Sequence, residues 1–367
     1  MNGSKEAALH FNLKGRITDI RPFGSGNINQ TFLLCTDATP PEQFIIQKLN
    51  RRVFRQPRQV IENMAAIIRH MASEIDKQDP DHSSWCLPTL LETRDGQTFH
   101  IDAGGDYWRA VSYLDQTISF EAVQNSLQAE KAGRALGRFH QLTSNLDPGL
   151  LHDTLPGFHH TPGYVLRYDQ VRQAADGGCA LGNLSEYCAD IIATNRETAN
   201  ILENAHRIGK LRIRTIHGDP KISNMLFSAE SGEPVSMVDL DTVKPGLIQY
   251  DIGDFFRSIC NPAGEETIDP EAVRFDNLLF EAGLAGYFSE MGPLLRKGDI
   301  EMIFDAIRLM TLELGLRFFT DFLEGDVYFK AQHQTHNLMR ATVQFKLLEC
   351  ILEGEKAIRA FIDRIAV

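Results

Sequence analysis

The chain has 367 residues, and its acidic side chains outnumber the basic ones to give a formal net charge of −12. That balance argues against a nucleic-acid or anionic-membrane partner, since both demand basic surface. It leaves open a nucleotide bound by local backbone amides and metal. The hydrophobic fraction of 43% and charged fraction of 23% are ordinary for a soluble globular protein, and the length suits two lobes better than one core.

Strand-prone runs come first, at residues 16–23, 30–36 and 43–49. Gly24-Ser25-Gly26-Asn27 separates the first two. Ile61, Met64, Ile68, Met71 and Ile75 recur every three or four residues and predict one helix with an apolar stripe. Asp95-Gly96 between two apolar runs, 90–93 and 98–101, predicts a hairpin, and 107–114 another strand. From about residue 120 the pattern becomes helical: Ala129, Ala132, Leu136, Phe139 and Leu142 share a face. Further helices are expected over 184–208, 271–291, 299–323 and 336–365. The break at 112–120 divides a β-rich N-lobe, 1–114, from a mainly helical C-lobe, 115–367. The six cysteines are scattered, without CxxC or metal-ligand spacing, so reduced thiols are expected. The N-terminal residues lack an apolar signal core, and no run of about twenty apolar residues occurs, so a cytoplasmic protein is expected.

The stretch 215–243 interrupts the helical half with strand, polar turn and strand. Its His217-Gly218-Asp219 is followed by Lys221 and Asn224, and the apolar Ser236-Met237-Val238 delivers Asp239. That trio of Asp219, Asn224 and Asp239 suits phosphoryl transfer. Asp219 takes a hydroxyl proton, Lys221 neutralises the transferring phosphoryl group, and Asn224 with Asp239 offers oxygen to Mg²⁺. A polar turn capped by Asp219 and Asn224 is the plainer reading, but it explains neither the strand aiming Asp239 nor the glycine turn upstream. Asp241 could contact substrate or metal, or hold the loop. Asp251 and Asp254 are placed to buttress the loop. His159 and His160 have no partner at metal-ligand spacing and are assigned to packing or loop contacts.

Gly24, Ser25, Gly26, Asn27 and Thr31 form a glycine-rich turn between strands, where backbone amides can approach phosphates closely. No Gly-Lys-Ser/Thr follows, so it is not a Walker A loop. The strand–glycine turn–strand order fits the phosphate cover of the kinase fold. There a lysine on the third strand normally holds phosphate, yet the matching position is Gln47, and Lys48 should face the other way. Either a neutral amide does the phosphate work or the register is one off. Tyr113, Leu114 and Asp115, at the lobe break, would give adenine backbone hydrogen bonds.

His-Gly-Asp-x-x-x-x-Asn followed by Val-Asp-Leu-Asp resembles the aminoglycoside phosphotransferase/choline kinase superfamily. The turn Gly24 to Asn29, Tyr107-Trp108-Arg109, Phe158 to Pro162, Asp251-Ile252-Gly253-Asp254, Arg317 to Phe329 and His336-Asn337-Leu338 resemble the bacterial N-acetylhexosamine 1-kinases. The resemblance implies an α+β, two-lobed protein-kinase-like fold and glutamine in place of the third-strand lysine. It also implies ATP-dependent phosphorylation of the anomeric hydroxyl of N-acetylglucosamine or N-acetylgalactosamine, with Asp219, Arg317 and Tyr328 holding the sugar. Read without it, Arg317 would pair with Glu313 four residues earlier, and Tyr328 would be core. Other acceptors on the same fold are an aminoglycoside, homoserine or choline. An inactive binding module and an unrelated metal-dependent hydrolase are the alternatives from other classes.

Overall fold

The structure is a computed structural model that describes residues 2–24, 28–78, 85–175 and 182–366. It opens with α1 (Asn2–Ala8), β1 (Ile17–Pro22), β2 (Gln30–Thr36) and β3 (Gln43–Lys48). Next come α2 (Pro57–Gln78), β4 (His100–Ile101), β5 (Tyr107–Ser112) and β6 (Thr117–Ile118). The helices α3 (Ser126–Leu142), α4 (Thr161–Ala175), α5 (Asn183–Asn195) and α6 (Ile201–Arg207) follow. Short strands β7 (Arg214–Ile216), β8 (Met225–Ser228), β9 (Pro234–Met237) and β10 (Lys244–Gly246) lead into α7 (Ile248–Ile259) and α8 (Asn277–Met291). The chain ends with α9 (Lys297–Glu301), α10 (Ile303–Leu323), α11 (His336–Glu353) and α12 (Glu355–Ile365). Among the described residues no helix is long and apolar enough to cross a membrane. This is the α+β class expected, a small antiparallel sheet and a larger helical part.

One compact unit comprises Met1–Ile118, Asn145–Pro156 and Leu226–Pro245. Its sheet has the order β1-β2-β3-β5-β4, antiparallel throughout. Side chains alternate across a strand, so Leu34, Phe44, Ile46, Trp108 and Ala110 share one face, where Ala7, Ala8 and Phe11 cover them. The opposite face carries Thr31, Gln47 and Arg109 side by side, because these three are register partners on adjacent strands. α2 buries Val60, Ile61, Met64, Ile67, Met71 and Ile75. Its stripe runs through Ile67 rather than Ile68. Asn63, buried in mid-helix, donates to Val243 O at 3.0 Å and His152 O at 2.9 Å and accepts from His152 N. It thereby pins two distant loops of this unit. The turn at Asp95-Gly96 forms, but its flanks shrink to a two-residue strand and isolated bridges, Phe11 to Thr93 and Leu90 to Val111. Thr93 closes the turn by donating its N–H to Gln97 O at 2.6 Å, and beyond it the flanks bridge to α1's exit and to β5.

Among its described residues the second unit, Ser119–Ser144, Gly157–Met225 and Gly246–Val367, has helices as its regular structure apart from β7, the first residue of β8 and the last residue of β10. Asn125 caps α3 by accepting from Gln128 N, and Asp276 caps α8 at Leu278 N and Leu279 N. The cap at Asp276 is why the predicted 271–291 helix starts late. α3 and α8 pack backbone to backbone: a methyl on Gly133 would lie 1.9 Å from Gly283 O, and one on Gly286 would lie 2.0 Å from Glu130 O. Only glycine permits that approach. α10 is buried along most of its length and packs with α4, α7 and α11. Expected long helices break at a 3-10 turn (Arg196–Asn200), at Met302 and at Gly354.

Candidate active site

In the helical unit the chain leaves β7 into His217-Gly218-Asp219 and turns through a 3-10 segment, Ile222–Asn224. Gly218 takes φ +82, which a side chain would resist. The turn is gripped from behind. The buried carboxylate of Asp251, on α7, accepts from His217 N at 2.6 Å and Gly218 N at 2.8 Å. Its Oδ2 also lies 2.9 Å from His140 Nε2, whose Nδ1 meets Tyr287 OH. Burial alone would push the Asp251 carboxyl up, but His140, His217 and the loop N–H hold it below the ordinary carboxylate range. Asp254, expected beside it, turns instead to Arg257 at 2.8 Å.

Asp219 itself is 31% exposed and accepts from Lys221 Nζ at 2.8 Å. Asn224 Nδ2 reaches Asp219 Oδ2 at 3.2 Å and its carbonyl at 2.9 Å. Partial burial raises the pKa, yet Lys221, His217 and Asn224 more than offset it, so the carboxyl lies below its usual range. It is an anion at neutral pH, as a proton acceptor must be.

The same loop is tied to α10. His159 adopts φ +63 and sets Nε2 3.0 Å from Gly218 O and Nδ1 3.0 Å from Glu313 Oε1. Both partners accept, and Thr161 Oγ1 donates to the other Glu313 oxygen at 2.7 Å. An imidazolium therefore fits, since both ring nitrogens must donate. Burial opposes that charge, but Glu313 and Asp254 raise the His159 pKa. Glu313 is correspondingly lowered by His159, against its own burial. Glu313 is thus committed to His159 and Thr161.

Arg317, one turn further along α10, stands among four rings instead of pairing with Glu313. Its guanidinium carbon lies 5.3 Å from the Phe158 ring centre, 5.2 Å from Tyr164, 5.9 Å from Tyr328 and 5.4 Å from Phe329. Tyr328 is 59% exposed, so it is not core. Asp321 holds it in place by accepting from Tyr328 N at 2.7 Å and Phe329 N at 2.9 Å.

In the sheet unit, Asp239 follows β9 with φ +62 and ψ +55 and is exposed. A left-handed aspartate is uncommon, and such strain clusters at functional positions. Gly24 shows φ +76 with open space where a side chain would go; Ser25, Gly26 and Asn27 lie outside the described residues. Gln47 settles the register. Its Oε1 accepts from Arg109 Nε at 3.0 Å and Nη2 at 2.7 Å, while its Nε2 donates to Thr31 Oγ1 at 3.1 Å. Lys48 faces the other side and pairs with Asp106. Tyr113 gives its N–H to Gln43 O at 3.1 Å, so backbone donation from Tyr113 to a base is not available. Its ring meets Phe23 edge-on. Asp115 is exposed.

Mg²⁺ wants hard oxygens and needs only one or two side chains beside phosphate and water. In the helical unit Asn224 spends its Nδ2 on Asp219, which leaves Oδ1 as its donor atom, and in the sheet unit Asp239 carries carboxylate oxygens. The donor chemistry fits. Among the described residues no group of three His, Cys, Asp or Glu side chains is arranged for a metal.

From the sequence His159 is assigned only to packing or loop contacts, with no sign that it partners Glu313, and Arg109 has no assigned role. An arginine inside the apolar run of β5 was the available signal, because a charge is buried only when paired.

The model of the phosphotransferase enzyme family (APH) matches residues 19–285, from the glycine turn through Asp254 but short of Arg317. The chain is similar in fold to a microcompartment-associated aminopropanol kinase, with TM-score 0.65 and 18% identity over 96% of this chain and 98% of that one. An aminoglycoside phosphotransferase from Alicyclobacillus acidocaldarius gives TM-score 0.65 and 13% identity, over 98% and 96%. The amicoumacin kinase hAmiN, solved with AMP-PNP, Ca²⁺ and Ami, gives 0.59 and 15%, over 92% and 91%.

Proposed function

The chain belongs to the phosphotransferase enzyme family, and from that premise we propose that it is an ATP-dependent kinase for the 1-hydroxyl of N-acetylhexosamines. Transfer would be in-line. The sugar 1-oxygen bonds to the γ-phosphorus as the bond to the β,γ-bridging oxygen breaks, ADP leaves with the electron pair, and the hydroxyl proton passes to Asp219. An anomeric hydroxyl is more acidic than an ordinary alcohol, so a carboxylate of low pKa serves mainly to orient it and accept the proton late. Lys221 would leave Asp219 for the transferring phosphoryl group. Asn224 and Asp239 would hold Mg²⁺, which supplies charge neutralisation on the phosphates. Gly24, Ser25, Gly26, Asn27, Thr31 and Gln47 would shape the phosphate cover, and Tyr113, through its carbonyl, with Asp115 would meet adenine.

One observation carries the acceptor class. Arg317 stands among four aromatic rings on a helix that His159 ties to the Asp219 loop. A cationic acceptor, whether aminoglycoside or choline, would meet like charge there, and the rings that could cage an ammonium already face a guanidinium. A neutral sugar offers hydroxyl and acetamide oxygens to the arginine fork and an apolar face to Tyr328. Arg317 and Tyr328 belong to the segments that resemble the N-acetylhexosamine 1-kinases. The test is a panel of acceptors with ATP and Mg²⁺, read by phosphorus NMR. N-acetylhexosamine 1-phosphate is the expected product; transfer only to an aminoglycoside, homoserine or choline overturns the proposal.

A further inference from the structure

The row Thr31, Gln47 and Arg109 continues beyond the sheet. Arg109 is 1% exposed and forms an ion pair with Asp241, which is 3% exposed. Asp241 Oδ2 accepts from Asn29 Nδ2, at the end of the glycine turn. Asn29 Oδ1 accepts from Asn50 N at 2.9 Å, and Asn50 Nδ2 donates to Ile28 O at 3.2 Å. Each link has a fixed polarity. A guanidinium only donates, so the Gln47 oxygen must face Arg109 and its amide nitrogen must face Thr31. Asp241 lies two residues after the left-handed Asp239, within the same short 3-10 turn.

Gln47 is therefore not a lysine site that lost its charge. A lysine there would stand beside Arg109 across one rung of the ladder, two cations sharing one carboxylate. The inward charge has moved to β5, and a neutral acceptor is what strand β3 must offer it.

We propose that the Arg109–Asp241 pair sets Mg·ATP affinity by fixing Thr31 and Asn29, the described residues that follow the glycine-rich stretch. Arg109 is a positioning residue: it acts through Gln47 on Thr31, and through Asp241 on Asn29 and the turn that carries Asp239. This rests on the nucleotide reading above, whose ligand would be the polyphosphate of Mg·ATP.

The test measures Mg·ATP affinity by calorimetry and the KM values of both substrates, on full-length protein checked for folding. Arg109→Met and Asp241→Asn should each weaken Mg·ATP by about 10- to 100-fold, the range of one charge-assisted contact. The double variant, which leaves no unpaired buried charge, should lose little more than either alone, because the two act as one unit. It also serves if a single variant fails to fold. Arg109→Lys keeps the charge but not the fork and should not restore binding. Gln47→Lys should weaken Mg·ATP although it installs the residue this fold usually carries. The acceptor KM should stay within about twofold, since no link of the chain is a sugar contact. Folded variants that bind Mg·ATP as well as wild type, or Gln47→Lys that binds it more tightly, overturn the inference alone. Wild-type protein that binds no Mg·ATP overturns the nucleotide reading and the inference with it.

Discussion

Replacing His159 with asparagine isolates the tie between the Asp219 loop and α10. Asparagine tolerates the left-handed backbone that His159 occupies, so the change reports the side chain rather than φ strain. It is too short to span Gly218 O and Glu313, which the imidazole reaches at 3.0 Å on both sides. The variant leaves the Glu313 carboxylate, 1% exposed, with Thr161 alone. Removing one partner of a buried pair costs about 3–5 kcal/mol. At about 2–4 °C per kcal/mol for a unit of this size, the melting temperature should fall by roughly 6–20 °C. The pH dependence carries the sign. His159 is raised above its ordinary 6.5, so its contribution is complete below that value and is lost as pH rises through the folded pKa. Glu313 is lowered from 4.5, so its contribution is present above that value and is lost as pH falls through the folded pKa. The gap between wild type and variant should therefore be widest from about pH 4.5 up through 6.5 and narrow on both flanks. Differential scanning fluorimetry from well below pH 4.5 to well above pH 6.5 measures it. A gap that stays constant with pH, or a variant as stable as wild type, would refute the imidazolium–carboxylate pair.

Two further substitutions address the chemistry. Asp219→Asn should leave Mg·ATP affinity nearly intact while turnover drops about 10²- to 10⁴-fold, the range a positioned base supplies; undiminished turnover in a steady-state assay would remove Asp219 from that role. Asp239→Ala should abolish the Mg²⁺ dependence of nucleotide binding, read by titrating ATP calorimetrically with and without the metal. Retained Mg²⁺-dependent affinity would return Asp239 to the status of a strained turn residue.

What the sequence made legible was local. Alternation along β2, β3 and β5 put Gln47 and Lys48 on opposite faces, and the structure keeps them there. The 217–224 stretch reads as a polar turn between two strands, and the chain turns there between β7 and β8. What stayed hidden were pairings between residues far apart in the chain. Glu313 looked like the partner of Arg317 because they are four apart on one helix, yet topology brings it His159 from 154 residues away. Arg109 and Asp241 are separated by 132 positions and no periodicity relates them. Helix ends were hidden too, because a stripe of apolar residues does not encode the breaks at Met302 and Gly354.

The buried ionisable pairs of both units share a property that bears on why they are there. Arg109 with Asp241, Asp251 with His140, and His159 with Glu313 are nearly inaccessible to solvent. Desolvation takes back much of what such pairs gain, and well-packed apolar side chains often stabilise as much or more. Stability alone therefore does not account for three of them. Each instead fixes backbone that a hydrophobic contact would leave free to shift: Asp251 holds two successive N–H groups, His159 holds the Gly218 carbonyl, and Asp241 holds the end of the glycine turn through Asn29. Hydrogen bonds of fixed polarity fix an orientation, whereas apolar contact mostly fixes a distance. Phosphoryl transfer depends chiefly on positioning, and in this chain the groups that position are one layer behind those proposed to react.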